Sequence, residues 1–347
     1  MILVLNCGSQ SLKWKLFNDN LKIIKEDNIK ILKEDLYEKT LRIELERLKD
    51  FEKEIKIIGH RVVHNGGFFK KPTLIDSKNL KILKSFNNFS SLHNPFNILA
   101  IETATSIFSK ATQIAVFDTQ FYSDIPPKAY IYSLPEYLRK KYSFRRFGFH
   151  GISHEYASKE AAGIIKKPFN SLKIISCHLG GGVSITAIKN GKAIDTSMGF
   201  TPLEGPSMAT RCGSIDPGII TILCRDFSIS EVERILNKES GLKGICDESE
   251  MIKILKKVKK KDKKAKLALD IYVYQIKKYI SAYFGILGGC DILVFTGTIG
   301  FNSSKIRNMI CKNLVFLKNT RVLAIKPDEE LAIAKKLKLL DNKINKI

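Results

Sequence analysis

Two arginines stand in segments where an unpaired cation would be costly. The run IIGHRVVH sets His60, Arg61 and His64 among Ile57, Ile58, Val62 and Val63, and ATRCGSIDPG holds Arg211 near Asp216. A guanidinium in apolar surroundings needs an anionic partner. Two such groups fit a bidentate clamp for a carboxylate or a transferring phosphoryl group, and equally a pair of internal salt bridges. AVFDTQF ends an apolar run on Asp118, from which a strand delivers a carboxylate into a cleft. In FGFHGISH, His150 and His154 have i, i+4 spacing, but no third ligand accompanies them, which disfavours zinc. His60 and His64 read as hydrogen-bonded structural residues.

Three turns rich in Gly and small polar residues add an anion-binding theme. They are Asn6-Cys7-Gly8-Ser9-Gln10-Ser11-Leu12-Lys13, His178-Leu179-Gly180-Gly181-Gly182, and Thr296-Gly297-Thr298-Ile299-Gly300-Phe301-Asn302-Ser303. Such turns let backbone N–H groups approach a phosphate. The first alone would pass as an ordinary hairpin; three together favour a nucleotide cleft.

The elements that must position these residues follow from pattern. Residues 2–17 and 173–188 share one grammar: apolar strand, small-residue turn, second strand. Gly8 and Gly180 lie 172 residues apart, close to half of the 347-residue chain. At roughly 150 residues per domain the length suggests two domains. A duplicated α/β domain with a cleft between the copies is therefore expected, rather than a Rossmann fold, which would place a helix after the first turn. A third strand and turn is expected over 291–304. Segments 38–56 and 230–237 have helical spacing, the latter with a Ser230/Glu233 capping box. Residues 122–127 (YSDIPP) are the candidate crossing between halves.

Composition excludes other classes. With 44% hydrophobic and 27% charged residues the chain is not globally disordered. The uncharged stretch 279–290 is too short for a bilayer, and the apolar start lacks the basic leader of a secretory signal. Seven cysteines without a C-x-x-C pair favour a reducing cytoplasm over a zinc site or disulfide framework. The formal charge of +23 comes from 47 Lys and 11 Arg, and residues 251–266 alone hold nine Lys and one Asp. Base readout and bidentate phosphate recognition favour Arg, so the excess reads as solvated surface, and the 251–266 run as a loop or an exposed helix face. No nucleic-acid partner is expected.

Taken together, these segments resemble the acetokinase family of acetate kinases, within the actin and sugar-kinase superfamily. The likeness runs from NCGSQSLK through GHRVVHNGG (59–67), SLHNPFN (91–97), AVFDTQF (115–121), FGFHGISH (147–154), HLGGGVS (178–184), TSMGFTPLEGPSMATRCGSIDPG (196–218) and FTGTIGFNSS (295–304) to PDEELAIA (327–334). It implies a homodimer, each subunit a duplicated ribonuclease-H-like α/β fold with an interdomain active-site cleft. The domains would be 1–122 plus 331–347 and 123–330. It implies transfer of the ATP γ-phosphoryl group to acetate, with Mg²⁺ (or Mn²⁺) as cofactor.

The resemblance also implies roles residue by residue. Asn6 and Glu329 would associate with the metal. Ser11 would lie near the phosphates, with Ser9 and Lys13 shaping the same loop. Arg61 and Arg211, joined by His150, would hold the carboxylate and the transferring phosphoryl group, and Asp118 matches the family's catalytic aspartate. His93 and His178 match histidines lining the site; Val63, Leu92, Phe149 and Pro202 match the pocket for the acyl methyl. Gly180 and Gly182 would contact nucleotide phosphates, and Ile299, Gly300, Asn302 and Asp247 would border the nucleotide. The chain departs from the pattern at Gly181, Ser214, Phe301, Glu248 and Ser249, mostly on the nucleotide side. Propionate or butyrate kinase is the near alternative, since one methylene is worth only about 1–3 kcal/mol. An actin- or chaperone-like ATPase switch is the alternative from another class.

Overall fold

The computed structural model describes residues 1–8, 11–31, 33–87 and 94–344. The chain divides into two compact units, residues 1–123 with 328–347, and residues 124–327. Against the limits of 122 and 331 expected from sequence, Asp328, Glu329 and Glu330 go with the first unit.

In the first unit, β1 (Ile2–Gly8) and β2 (Ser11–Phe17) form an antiparallel hairpin, with Ile2 opposite Phe17 and Gly8 opposite Ser11. Strand β3 (Ile23–Lys30) continues it on the far side of β2. Strand β4 (Ile57–Val62) lies parallel to β1. A two-residue β5 (Thr73–Leu74) pairs antiparallel with β6 (Thr112–Phe117), itself parallel to β4. The order is β3-β2-β1-β4-β6-β5.

The second unit repeats the plan. Strands β7 (Lys173–Leu179), β8 (Val183–Lys189) and β9 (Lys192–Thr196) run antiparallel in succession. Parallel strands β10 (Ile292–Thr296) and β11 (Arg321–Ala324) extend the other side of β7, giving β11-β10-β7-β8-β9. In both sheets three meandering strands are followed by parallel strands added beyond the first. This is a duplicated α/β fold, built on the two glycine hairpins.

Buried strand faces are covered by helices. Leu3, Leu5, Leu12, Trp14 and Leu16 pack with Leu41, Leu45 and Phe108, and Trp14 Nε1 donates to Glu44 Oε2 at 3.2 Å. Helix Glu329–Ile344 docks against β4 through Gly59. A Cβ there would stand 2.5 Å from Leu337 Cδ1 and 2.8 Å from Ile333 Cγ2.

Two local expectations are corrected. The third turn is the start of a helix, Gly297–Asn302, directly after β10. Gly297 has φ +78°, and a Cβ would lie 2.5 Å from the Leu179 carbonyl oxygen, so the chain can fold over β7 only at glycine. The capping box sits two residues earlier than expected, at Ser228 and Glu231, on helix Ile229–Arg234. Of the two readings of the lysine-rich run, the exposed helix face holds over 251–259. Helix Met251–Lys259 buries Met251 and Ile254, and Asp262 caps the following helix Lys263–Leu287 through Ala265 N at 2.9 Å.

His60 links the fold to pH. Its Nε2 meets Gln113 Oε1 at 2.7 Å, and burial pushes its pKa down from 6.5 to about 4, with the Gln113 bond opposing. The unfolded chain therefore binds more protons between those values, and stability is lost as pH falls through that window. Going from pH 7 to pH 5 is expected to cost about 2 kcal/mol through this residue. Urea midpoints at both pH values, for the wild type and His60→Gln, measure it; an equal acid loss in the variant would refute the assignment.

Candidate functional site

In the first unit, three neighbouring strands bring Asn6, Arg61 and Asp118 together. Asp118 follows β6, and its N–H donates to Val62 O at 2.9 Å, which extends the ladder and sets the carboxylate beside Arg61. Arg61 Nε and Nη2 both donate to Asp118 Oδ2, at 3.2 and 2.6 Å, and Nη1 donates to Asn6 Oδ1 at 3.0 Å. Of the five N–H donors of a guanidinium, these bonds use three, leaving one on each terminal nitrogen. A pair of N–H donors of this kind matches the two oxygens of a carboxylate or phosphoryl group.

Burial would lower the Arg61 pKa, but Asp118, Glu329 and Glu330 outweigh it and raise it above the ordinary value, so the group stays charged. Burial pushes the Asp118 carboxyl up, and Arg61 pulls against it. Asp118 Oδ1 is buried and has no hydrogen-bond partner among the described residues. Asn6 Nδ2 donates to Glu330 Oε1 at 2.6 Å and more loosely to Glu329 Oε2 at 3.4 Å.

Ser11 and Lys13 alternate along β2 and so share one half-buried face. Val63 is buried, and its N–H donates to Asn97 Oδ1 at 3.1 Å. Asn94 likewise accepts from His64 N, and Asn97 Nδ2 donates to Cys7 O. Both asparagines come from the first turn of helix Asn94–Ile107 and brace the segment after β4 against β1. They were not singled out above, although they stand inside SLHNPFN. Leu92, His93 and Ser9 lie outside the described residues.

The second unit holds the other cluster. Residues 180–182 close the β7–β8 hairpin, with Gly180 N donating to Gly182 O at 2.9 Å. A Cβ on Gly182 would lie 3.0 Å from His150 Cε1 and 3.5 Å from Arg211 Nη1. One on Gly180 would lie 3.3 Å from Thr298 Oγ1 and 3.6 Å from His178 Nε2. The bare backbone thus lets two histidines and an arginine crowd around the turn. The rings of His150 and His178 stack at 4.2 Å. Serine hydroxyls hold them: Ser184 at 2.9 Å from His150 Nδ1, and Ser153 at 2.8 Å from His178 Nδ1. His150 takes a left-handed conformation, φ 58°, at the N-cap of helix Gly151–Ile164, so the backbone is strained where the ring is presented. His154 gives both ring nitrogens to Ser176 and Ser184, which leaves neither for zinc.

Arg211 differs from Arg61. Its Nη1 donates to Pro202 O at 3.1 Å, and no acidic side chain pairs with it among the described residues. Asp216, its neighbour in sequence, caps helix Pro217–Asp226 by accepting from Gly218 N at 2.7 Å. Burial lowers the Arg211 pKa. The two readings of the arginines therefore divide, with Arg61 in an internal salt bridge and Arg211 without one.

Phe149 is buried beside His150, and the 199–205 loop carrying Pro202 is locked by Glu204. Its carboxylate accepts from Arg146 Nη2 and from the Tyr132 hydroxyl, both at 2.5 Å. Ile299, Gly300 and Asn302 follow β10 on the short helix; Gly300 abuts β7, and Asn302 Nδ2 donates to Thr298 O. Asp247 is exposed at the end of helix Gly241–Cys246 and pairs with Lys264 at 3.8 Å.

No group of three His, Cys, Asp or Glu side chains forms a metal cage among the described residues. Asn6 Oδ1 is taken by Arg61, whereas Asp118 Oδ1 has acceptor capacity and Glu329 is close enough to raise the Asp118 pKa. Oxygen donors of this kind suit a hard cation such as Mg²⁺ that retains most of its own water.

A model of the acetokinase family matches residues 1–337. The acetate kinase of Carboxydothermus hydrogenoformans is 40% identical over 397 aligned residues, spanning 99% of this chain and 100% of that protein. The crystal structure of Porphyromonas gingivalis acetate kinase superposes with a TM-score of 0.88 at 31% identity, over 98% of this chain and 99% of that one. A propionate kinase from Francisella tularensis subsp. tularensis gives a TM-score of 0.89 at 35% identity, over 96% and 98%. The motifs, the duplicated fold and these likenesses, each over nearly the whole length, agree: the chain belongs to the acetokinase family.

Proposed function

We propose that this protein is an acetate kinase, which moves the γ-phosphoryl group of ATP to acetate by direct in-line transfer, reversibly, giving acetyl phosphate and ADP. The observation that carries this reading is Arg211, a half-buried guanidinium with no acidic partner among the described residues, alongside Arg61, whose terminal fork is open. A carboxylic acid with a pKa of roughly 4 to 5 is ionised near neutrality and needs no strong general base. Asp118 then serves to orient Arg61. Catalysis rests on alignment and on positive charge spread over the phosphoryl oxygens, supplied by Arg61, Arg211 and His150. Mg²⁺ associated with Glu329 and the Asn6 and Asp118 region supplies further positive charge when bound.

In this reading Val63, Leu92, Phe149 and Pro202 receive the acyl methyl, and His93 keeps the site-lining role that the resemblance implies. Ser11, Lys13, His178, Gly180 and Gly182 take the phosphates, and Asp247, Ile299, Gly300 and Asn302 border the nucleoside. The structural likeness to a propionate kinase supports a second reading in which the longer acid is preferred.

We assign the protein to the cytoplasm on its seven free cysteines. No described helix is long and apolar enough to cross a membrane. A homodimer is supported by helix Pro217–Asp226, which buries no residue although it carries Ile219, Ile220 and Ile222, and is followed by exposed Phe227 and Ile229. Contiguous apolar surface of this kind marks an interface.

Hydroxylamine trapping with ATP, Mg²⁺ and acetate, propionate or butyrate in parallel tests the reaction; no hydroxamate from any acid refutes it. Arg61→Ala and Arg211→Ala are each expected to lower turnover by ~10²-fold or more, and near-normal rates in both would overturn their roles. Ile222→Glu is expected to convert a dimer to monomer in analytical ultracentrifugation, and a monomeric wild type would reject the dimer.

A further inference from the structure

We propose that Glu330, neutralised by Lys15, is a positioning residue that fixes the Arg61 guanidinium by dictating which way the Asn6 amide faces; the proposal rests on the acyl-kinase reading above. The need for such a device lies in the Arg61–Asp118 contact. Nε and Nη2 both converge on one oxygen, Asp118 Oδ2. A contact through a single oxygen is a pivot, whereas a fork against two oxygens resists rotation. The bond from Nη1 to Asn6 Oδ1 at 3.0 Å is the second fixed point that stops the guanidinium swinging about that pivot. It holds only while Asn6 presents oxygen, not nitrogen, to Arg61.

An amide has a donor end and an acceptor end of nearly the same shape, so its orientation is set by its neighbours. Arg61 offers only donors. Glu330, as a carboxylate, offers only acceptors, and its Oε1 stands 2.6 Å from Asn6 Nδ2. One orientation satisfies both sides; the other sets N–H against guanidinium and C=O against carboxylate. Glu330 is 7% exposed, so its charge needs support, and Lys15 Nζ lies 3.7 Å away while bonding Asp328 at 2.9 Å. Glu329, at 3.4 Å from the same nitrogen, makes the longer and weaker of the two contacts.

Because Glu330 acts through Asn6 on Arg61, its effect on turnover should vanish once Arg61 is gone. Glu330→Met keeps the side-chain length without an acceptor, and Glu330→Gln restores an acceptor oxygen without charge. In the hydroxylamine assay with acetate, Glu330→Met is expected to lower kcat by ~30-fold at little-changed KM for ATP, and Glu330→Gln by only ~3-fold. In an Arg61→Ala background, Glu330→Met should cost less than about 2-fold more, the non-additivity of residues that share one partner. Should Glu330→Met not fold, the same cycle is run with Glu330→Gln, whose smaller loss must likewise vanish. Losses that simply multiply, or a kcat for Glu330→Met within 2-fold of wild type, overturn the role of Glu330 alone. A wild type that yields no hydroxamate overturns the acyl-kinase reading itself, so the two failures are distinguishable.

Discussion

The Arg61–Asp118 ion pair is the constraint on which the rest of the first unit depends. Asp118 is buried, and a buried carboxylate without a cation would be strongly destabilising. The pair exists because β4 and β6 are adjacent and parallel, so that the residues at their ends emerge side by side. Parallel pairing with β1 adds Asn6. Gly59, two residues before Arg61, admits the helix that brings Glu329 and Glu330. Four stretches far apart in sequence therefore meet at one guanidinium, and each is placed by sheet order rather than by loop conformation. A site seated on strands and one packed helix is held more tightly than one on loops.

The second unit solves a different problem with the same cation. Arg211 has a backbone carbonyl and a thioether as neighbours, but no described acid. Burial without a fixed counter-charge makes the surroundings of Arg211 favourable to an incoming anion. Around the same turn, the hydroxyls of Ser153, Ser176 and Ser184 occupy ring nitrogens of His178, His154 and His150. Hydroxyls can donate or accept, so these rings are held in place without a commitment to charge. One arginine is anchored by a protein anion, and the other has no acidic partner among the described residues.

Much of this was legible in the sequence because it is local or repetitive. The glycine turns predicted two hairpins half a chain apart, and the strand order shows the duplication they implied. Arg61 and Asp118 were marked by polar residues inside apolar runs. What stayed hidden is non-local. Nothing near Glu330 says that it, rather than Glu329, grips an asparagine at position 6, since that choice depends on how helix Glu329–Ile344 is rotated over β4. The capping box was misplaced because Ser228 and Ser230 each precede a glutamate by three residues, and only the end of the preceding helix at Asp226 decides between them. The 296–303 segment looked like a turn because its glycines are turn-formers. Gly297 instead serves a close approach to Leu179, a contact between segments 118 residues apart.

The choice of arginine over lysine at position 61 follows from the geometry, in a chain with 47 Lys and 11 Arg. Arg61 must hold Asp118 and Asn6 and still present a fork outward. A lysine has three donors on one freely rotating nitrogen, and could meet the protein partners or the ligand, but not both in a fixed plane. Most lysines, unlike Lys15, stand where position matters little, as on helix Met251–Lys259, where apolar Met251 and Ile254 face in. Their summed field can draw small anions toward the protein at low ionic strength, and salt would screen it. It cannot align a transferring group. A guanidinium fixed by its own bonds to the protein, as Arg61 is, instead has donors of defined direction.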